Sequence, residues 1–250
     1  MKLWRMLLLF LVVMFMGLSV ARADAGRAEA EKFFINAVKA YHEAHYTDAV
    51  ALNEAILAQG FSSPAVYYNL GNAAFKSRRI GKAILNYLRA RSLAPRDSDI
   101  RANLSFARTM VENYAPVRSV SAFAPLERLF SGNELQWLAL SLLALTGIFF
   151  LGSLYAGFPQ KRVVQGTVLL VLVTGYFSAA SFAHTLDQIG ASVCVGKAEA
   201  RFEPNAQATL YFNVPEGTEV RIHREKDGWA KIERSDGKSG WIMSVLAEKI

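Results

Sequence analysis

Five side chains are of the types from which metal or nucleophilic chemistry is built: His42, His45, His184, His223 and the single cysteine, Cys194. His42 and His45 stand three apart near a helix end, but no carboxylate or cysteine accompanies them at metal-ligand spacing. Cys194 with His184 or His223 would be a nucleophile–base pair, the start of a thiol-dependent hydrolase. A hydrolase also needs a scaffold that orients its base and oxyanion donors, and no further domain remains to supply one. A phosphate loop and a Gly-rich dinucleotide fingerprint are both missing. The residues therefore argue against an enzyme, a metal or a cofactor. Cys194 lies in "ASVCVGK", which alternates like a strand, so it reads as a small buried apolar residue. One cysteine excludes an internal disulfide and leaves pairing between chains as the other reading.

What positions these residues is a chain that is 52% hydrophobic, with three apolar runs. The first opens the sequence. Lys2 and Arg5 precede an apolar stretch from Leu7 to Val20, and Ala21-Arg22-Ala23 follows. This is the form of a secretory signal over 1–23, cleaved before Asp24; the other reading is an N-terminal anchor. The second and third runs, 135–158 and 163–183, contain no charged residue. Each is long enough to cross a bilayer. Trp137 and Tyr155 stand near the ends of the first, where amphipathic rings prefer the interface. Between them a short turn, 159–162, holds Pro159 and the only two charges, Lys161 and Arg162. Short loops rich in Lys and Arg stay in the cytoplasm, so both flanking segments are expected outside it. The signal segment predicts the same side.

The net charge of +7 carries no nucleic-acid reading. Five of the basic residues belong to the signal and the turn, and residues 185–250 carry 9 basic and 10 acidic side chains. Residues 24–134 carry 14 and 11, a mild excess of the kind a solvated face shows.

Shifting the sequence by 34 residues aligns Phe33 with Tyr67, Ala37 with Gly71, Ala40 with Ala74, Tyr41 with Phe75, Ala49 with Ala83 and Asn53 with Tyr87. The period, with small residues alternating with large ones, resembles the tetratricopeptide repeat, a pair of antiparallel helices. In that family small residues let the two helices approach closely. Gly71, at roughly 1 kcal/mol against alanine in a helix, is then offset by burial against Ala83. Residues 64–97 follow the pattern closely. Residues 30–63 follow it more weakly, with Asn36 where leucine is usual, and 98–113 repeat its start as a capping helix. The resemblance implies an α-helical solenoid over 24–115 and a concave, partner-binding face lined by Phe34, Val38, Tyr41, Tyr68, Asn72 and Phe75, with Asn69, Arg101 and Asn103 at its edge. The other reading is that several of these only pack the neighbouring helix. Lys76, Arg78, Arg79 and Lys82 form a basic turn.

After a linker over 116–134 and the two spans, residues 184–250 change texture. Apolar and polar residues alternate, and Pro215-Glu216-Gly217, Asp227-Gly228 and Asp236-Gly237 are turn signals. This reads as a small all-β barrel of about five strands. "NVPEGTEV", "DGWAKI" and "DGKSGWI", with Trp229, Gly240 and Trp241, resemble the bacterial SH3-like domain. "ARFEPNAQATLYF" departs from that family's small-residue start. Trp229 and Trp241 would be a ligand shelf or a cover for the barrel core.

The expected whole is a multi-domain membrane protein: solenoid, two-helix transmembrane hairpin, SH3-like barrel. With "YYNLGNAAFKSRRIGKAILNYLRA" it resembles the BatE family of aerotolerance-operon repeat proteins. That resemblance implies a non-enzymatic scaffold in the bacterial inner membrane. Its expected partners are von Willebrand A-domain membrane proteins and a MoxR-type ATPase complex. The alternative is a wall-sensing protein whose SH3-like domain binds peptidoglycan peptides.

Overall fold

The computed structural model describes residues 26–115, 122–156, 159–188 and 191–250. The expected signal segment lies outside them. The chain divides into two compact units, one ending at Arg78 and one beginning at Arg79.

The described part of the first unit is three helices: α1 (26–42), α2 (Tyr46–Ala58) and α3 (Pro64–Lys76). Two apolar clusters hold them together. Ala40, Ala49, Val50, Leu70 and Ala73 form one, and Ala30, Ile56 and Val66 form the other, flanked by Phe33, Phe34 and Phe61. Small side chains dominate the first cluster, which lets the helix backbones approach closely. Gly71 is buried with them. Ser63 starts α3 by accepting from Val66 N at 3.2 Å, and Pro64 at the first turn has no N–H to leave unpaired. α1 is followed by Ala44 and α3 by Arg78, both in the left-handed region, at φ 62° and 60°.

The second unit begins with α4 (Ile80–Leu93) and α5 (Ser98–Thr109). Asp97 caps α5 by accepting from Asp99 N and Ile100 N. In the expected linker, a single turn, α6 (Ala124–Glu127), precedes the long helices α7 (Gly132–Ala156) and α8 (Gln160–Gln188). Ser131 and Glu134 open α7 reciprocally: Ser131 N donates to Glu134 Oε2 at 2.8 Å, and Glu134 N donates to Ser131 Oγ at 3.3 Å. Lys161 and Arg162, expected in a turn over 159–162, instead sit in the first turn of α8. Pro159 supplies the carbonyl that accepts from Arg162 N and Val163 N, so it starts the helix that its own missing N–H cannot interrupt.

α7 and α8 pack on each other as a hairpin through small residues such as Ala139 and Ala180. A ring from Phe149 lies where a Cβ on Gly166 would stand. Thr146 and Ser153 are buried and bond their own helix, to the carbonyls of Leu142 at 2.8 Å and Phe150 at 2.6 Å. Both helices contain stretches long and apolar enough to cross a membrane, yet only 17% and 6% of those stretches is buried. A core helix of a soluble domain would hide such side chains. Here Leu143, Ile148, Leu169 and Leu172 all point outward.

Seven strands follow: β1 (Ala191–Cys194), β2 (Ala198–Arg201), β3 (Leu210–Val214), β4 (Glu219–Lys226), β5 (Trp229–Arg234), β6 (Ser239–Met243) and β7 (Ala247–Lys249). They form one sheet in the order β3-β2-β6-β5-β4-β1-β7, and the pairings are antiparallel. Every strand contributes to one core, from Cys194 and Ala198 to Ile242 and Ala247, so the sheet wraps around it. β1 and β7 exceed the five strands expected, because both are too short to show a period. Asp227 and Gly228, at φ 49° and 79°, close β4 onto β5 as a primed two-residue turn. In the Asp236-Gly237 turn only Gly237 takes positive φ.

A non-glycine residue in the left-handed region is strained by roughly 1 kcal/mol or more. Ala44→Gly is therefore expected to stabilise the folded chain by about 0.5–1 kcal/mol, read as a higher melting temperature. An unchanged or lower value would mean that Ala44 is not held there.

Candidate functional site

Four of the expected groove residues meet in the first unit. Val38 and Tyr41 on α1, and Asn69 and Asn72 on α3, line a cavity of about 140 Å³ together with Ala37, His42, Ala49 and Asn53. Tyr41 is held by edge contacts to the His42 and Tyr46 rings, centroids 6.0 and 5.5 Å away. Burial, then the neighbouring Tyr46 and Tyr68 phenols, push its pKa up, so it stays a neutral hydroxyl. Phe34 packs instead against Ala30, Ile56 and Val66. Tyr68 and Phe75 are half-buried on α3 and do not line the cavity. Arg101 is exposed and Asn103 half-buried, both on α5 of the second unit. Asn53 and His42 are lining residues that the repeat pattern does not single out. Asn53 had a signal, as the small amide aligned with Tyr87.

The second unit contains a different kind of site, a joint between its helices and its sheet. Arg79, at the N-cap of α4, makes no side-chain cap. Glu216, in the turn before β4, supplies the acceptor: Gly81 N donates to its Oε1 at 2.8 Å. A carboxylate is favoured at a helix N-terminus, where unpaired N–H groups point outward. Glycine is required at 81, because a Cβ there would strike the Cys194 carbonyl oxygen. Gly217 is required twice over: its φ is +85°, and a Cβ would fall 2.6 Å from a methyl of Val111. Lys82 of the expected basic turn is already paired, with Glu248 at 2.5 Å, and Arg89 donates to the Lys249 carbonyl.

At the centre of this joint is Glu219. Its Oε1 accepts from Arg108 Nη2 at 2.5 Å, from Arg108 Nε at 3.1 Å and from the Tyr114 hydroxyl at 2.5 Å. The glutamate side chain is 7% exposed and Arg108 is 19% exposed. The Arg108 guanidinium also lies over the Tyr114 ring, 5.2 Å from its centroid. Burial, then Glu219, hold the Tyr114 phenol protonated far above its usual range. Burial, then the Arg108 charge, lower the pKa of Arg91.

On the sheet, alternation separates two faces. Ala230, Ile232, Gly240 and Ile242 are buried, so Trp229 and Trp241 point away from the core and are half-buried. Trp229 stands opposite Met243, and Trp241 stands opposite both Lys231 and Arg201. The reading in which the tryptophans cover the core is not the arrangement seen. At the β2–β3 end, Phe202 and Tyr211 stack at 4.5 Å and are 58% and 44% exposed.

Residues 197–246 match the family model of the bacterial SH3 domain. The match covers the sheet from β2 through β6 and not the helices. No curated protein and no solved structure matches the chain. Bacterial SH3 domains commonly mediate binding to proteins or peptidoglycan, so the outward aromatic face is the candidate ligand surface of this one.

Cys194 is fully buried in the SH3 core, and burial pushes its thiol up to about 12. His223 faces solvent and pairs with Glu233 at 2.5 Å. His184 lines a polar hollow with Gly132, at the other end of α8 from Lys161. None of these positions prepares a thiolate. Among the described residues no group of three His, Cys, Asp or Glu side chains is arranged to hold a metal.

Three outcomes follow. Maleimide labelling of the folded protein at pH 7 is expected to leave Cys194 unmodified; rapid labelling would contradict its burial. Glu219→Gln and Arg108→Met are each expected to cost about 3–5 kcal/mol, the loss typical of breaking a buried ion pair. The Tyr114 shift is upward from 10.0, so its stabilising contribution is present below that pH and is lost as pH rises further. Tyr114→Phe should flatten stability against pH above 10. A variant with the wild-type slope would remove Tyr114 from the account.

Proposed function

We propose that the chain is a non-enzymatic, membrane-anchored scaffold whose helical and SH3 modules both recognise partners outside the cytoplasm. The observation that carries this reading is the cavity formed by Val38, Tyr41, Asn69 and Asn72, which joins a concave apolar wall to amide groups able to grip an extended segment. Regularities at the 34-residue offset support a tetratricopeptide solenoid over 24–115. The caps Ser63 and Asp97, the left-handed residues Ala44 and Arg78, and the starts of α2 and α4 each stand one offset apart. The outward apolar surfaces of α7 and α8 support a lipid environment, and Lys161 and Arg162 at the tip favour a cytoplasmic turn. The bacterial inner membrane is the location this implies.

The resemblance to the BatE family adds the partners: von Willebrand A-domain membrane proteins and a MoxR-type ATPase complex, in an envelope stress or aerotolerance role. One observation favours a second reading. The outer SH3 face sets Trp229, Trp241 and Met243 beside Lys231, a surface suited to a ligand with apolar faces and a carboxylate, such as a peptidoglycan peptide; Arg201, opposite Trp241, is paired with Glu199 and the Ala208 carbonyl.

Purification of the tagged, detergent-solubilised chain from its own membranes separates the two. The scaffold reading expects co-purifying von Willebrand A-domain proteins, reduced at least tenfold by Asn72→Ala and unaffected by Trp229→Ala. Recovery of wall fragments alone, lost with Trp229→Ala, would place the activity in the SH3 domain instead.

A further inference from the structure

Residues directly opposite each other in an antiparallel sheet point to the same side. Lys226 on β4 stands opposite Trp229 on β5, which stands opposite Met243 on β6. In the next row Arg224 stands opposite Lys231, and Lys231 stands opposite Trp241. Trp229 and Trp241 point away from the core, so all six side chains lie on the outer face. Both rows run the same way. The column over β4 is cationic, the column over β6 is apolar, and β5 between them has one of each.

Like charges directly opposite each other destabilise a sheet. Arg224 and Lys231 are placed so, with Lys226 beside them, and all three are exposed. Among the described residues none of the three is in an ion pair. The nearby carboxylates are engaged elsewhere or lie outside the rows. Glu225 stands opposite the buried Ala230, so it points to the other side, and it pairs with Lys249 at 2.8 Å. Glu233, the next outward position on β5, pairs with His223. Asp227 is in the turn beyond the first row. Met243, at the apolar side, is 49% exposed. Neither the clustered cations nor the open methionine helps the sheet to fold, whereas both would help it to hold a ligand.

We propose that this face docks an acidic amphipathic segment of a protein partner, with carboxylates along one side and apolar side chains along the other. The proposal rests on the reading of the SH3 domain as a module that recognises partners, and it names the chemistry of what is recognised. Size fits a helix. The cationic and apolar columns are two strand spacings apart, about 10 Å, and a helix with its side chains is about 10–12 Å across. Charge asks for several carboxylates with no amine among them. A wall peptide with a free amino group would add a fourth positive charge to the three already there. Shape disfavours a bilayer, because Trp229 and Trp241 are half-buried in the sheet face and do not project as a wedge would.

The test uses the full chain in phosphatidylcholine nanodiscs and a fluorescent helical peptide of Glu, Leu and Ala, with Glu on one side and Leu on the other, read by anisotropy. The competing probes are the same composition in scrambled order, phosphatidylglycerol vesicles, and muropeptides released from purified wall. The ordered peptide is expected to bind saturably and about tenfold more tightly than the scrambled one, the worth of one well-seated apolar anchor. Arg224→Gln combined with Lys231→Gln should weaken it about tenfold, two exposed charge pairs near the top of their usual range. Trp229→Ala should do about as much. Lys238→Gln, exposed in the turn between β5 and β6, should leave binding unchanged. Without peptide, Lys231→Gln should keep or raise the melting temperature, because it removes a repulsion. A fall would mean that the cations serve the fold, and would overturn the proposal. So would equal binding of the ordered and scrambled peptides, no saturable binding, or vesicles or muropeptides binding more tightly than the ordered peptide. Partner capture by the tagged chain without peptide binding would remove the docking face and leave the scaffold. Peptide binding that needs Arg224 and Lys231, without any captured partner, would do the reverse.

Discussion

One carboxylate oxygen organises the second unit. Glu219 Oε1 accepts three hydrogen bonds, two from Arg108 and one from Tyr114, in a site almost closed to water. Burying that charge costs several kcal/mol unless it is met this completely. The bonds join residues more than 100 positions apart, so they fix the SH3 domain on α5 rather than leaving it on a tether. Glu216 then completes the uncapped start of α4, and Gly81 and Gly217 allow the two backbones to meet without side chains between them. The docked edge is made of β1, β7 and the turn before β4. The outward face bearing Trp229 and Trp241 belongs to β5 and β6 and is left open. The joint is therefore made by other strands than those of the candidate ligand face.

The hairpin obeys a second constraint. The hydroxyls of Thr146, Ser153 and Thr174 bond carbonyls of their own helices, and many apolar side chains point outward, as they would in a medium that offers no hydrogen bonds. Arg96 reaches from the loop after α4 to Glu134 and to the Leu129 carbonyl, so the helical layer of the second unit is tied directly to the start of α7. Charged contacts thus tie the helices of that unit both to the hairpin and to the SH3 domain.

Much of this was readable in order along the chain. Apolar runs gave the two long helices, and their starts were missed only by the few polar residues of the Ser131–Glu134 capping box and by Pro159. Asp227-Gly228 gave the hairpin that sets the SH3 register. Val38, Tyr41, Asn69 and Asn72, grouped by repeat position, line one cavity in the structure. What could not be read was everything that depends on distant partners. Nothing beside Glu219, Glu216 or Glu248 in the sequence says that Arg108, Gly81 and Lys82 await them. The strands β1 and β7 are too short for a period, and Trp229 and Trp241 needed the observed alternation of burial to be assigned to the outer face.

The most direct measurement of the central claim is in-cell photo-crosslinking from single positions, with a benzophenone side chain replacing Val38 in the groove and, separately, Lys231 on the SH3 face. The scaffold account predicts a discrete protein adduct from Val38. No adduct from Val38, with crosslinks to wall material from Lys231, would contradict it and make the SH3 face the working surface of the molecule.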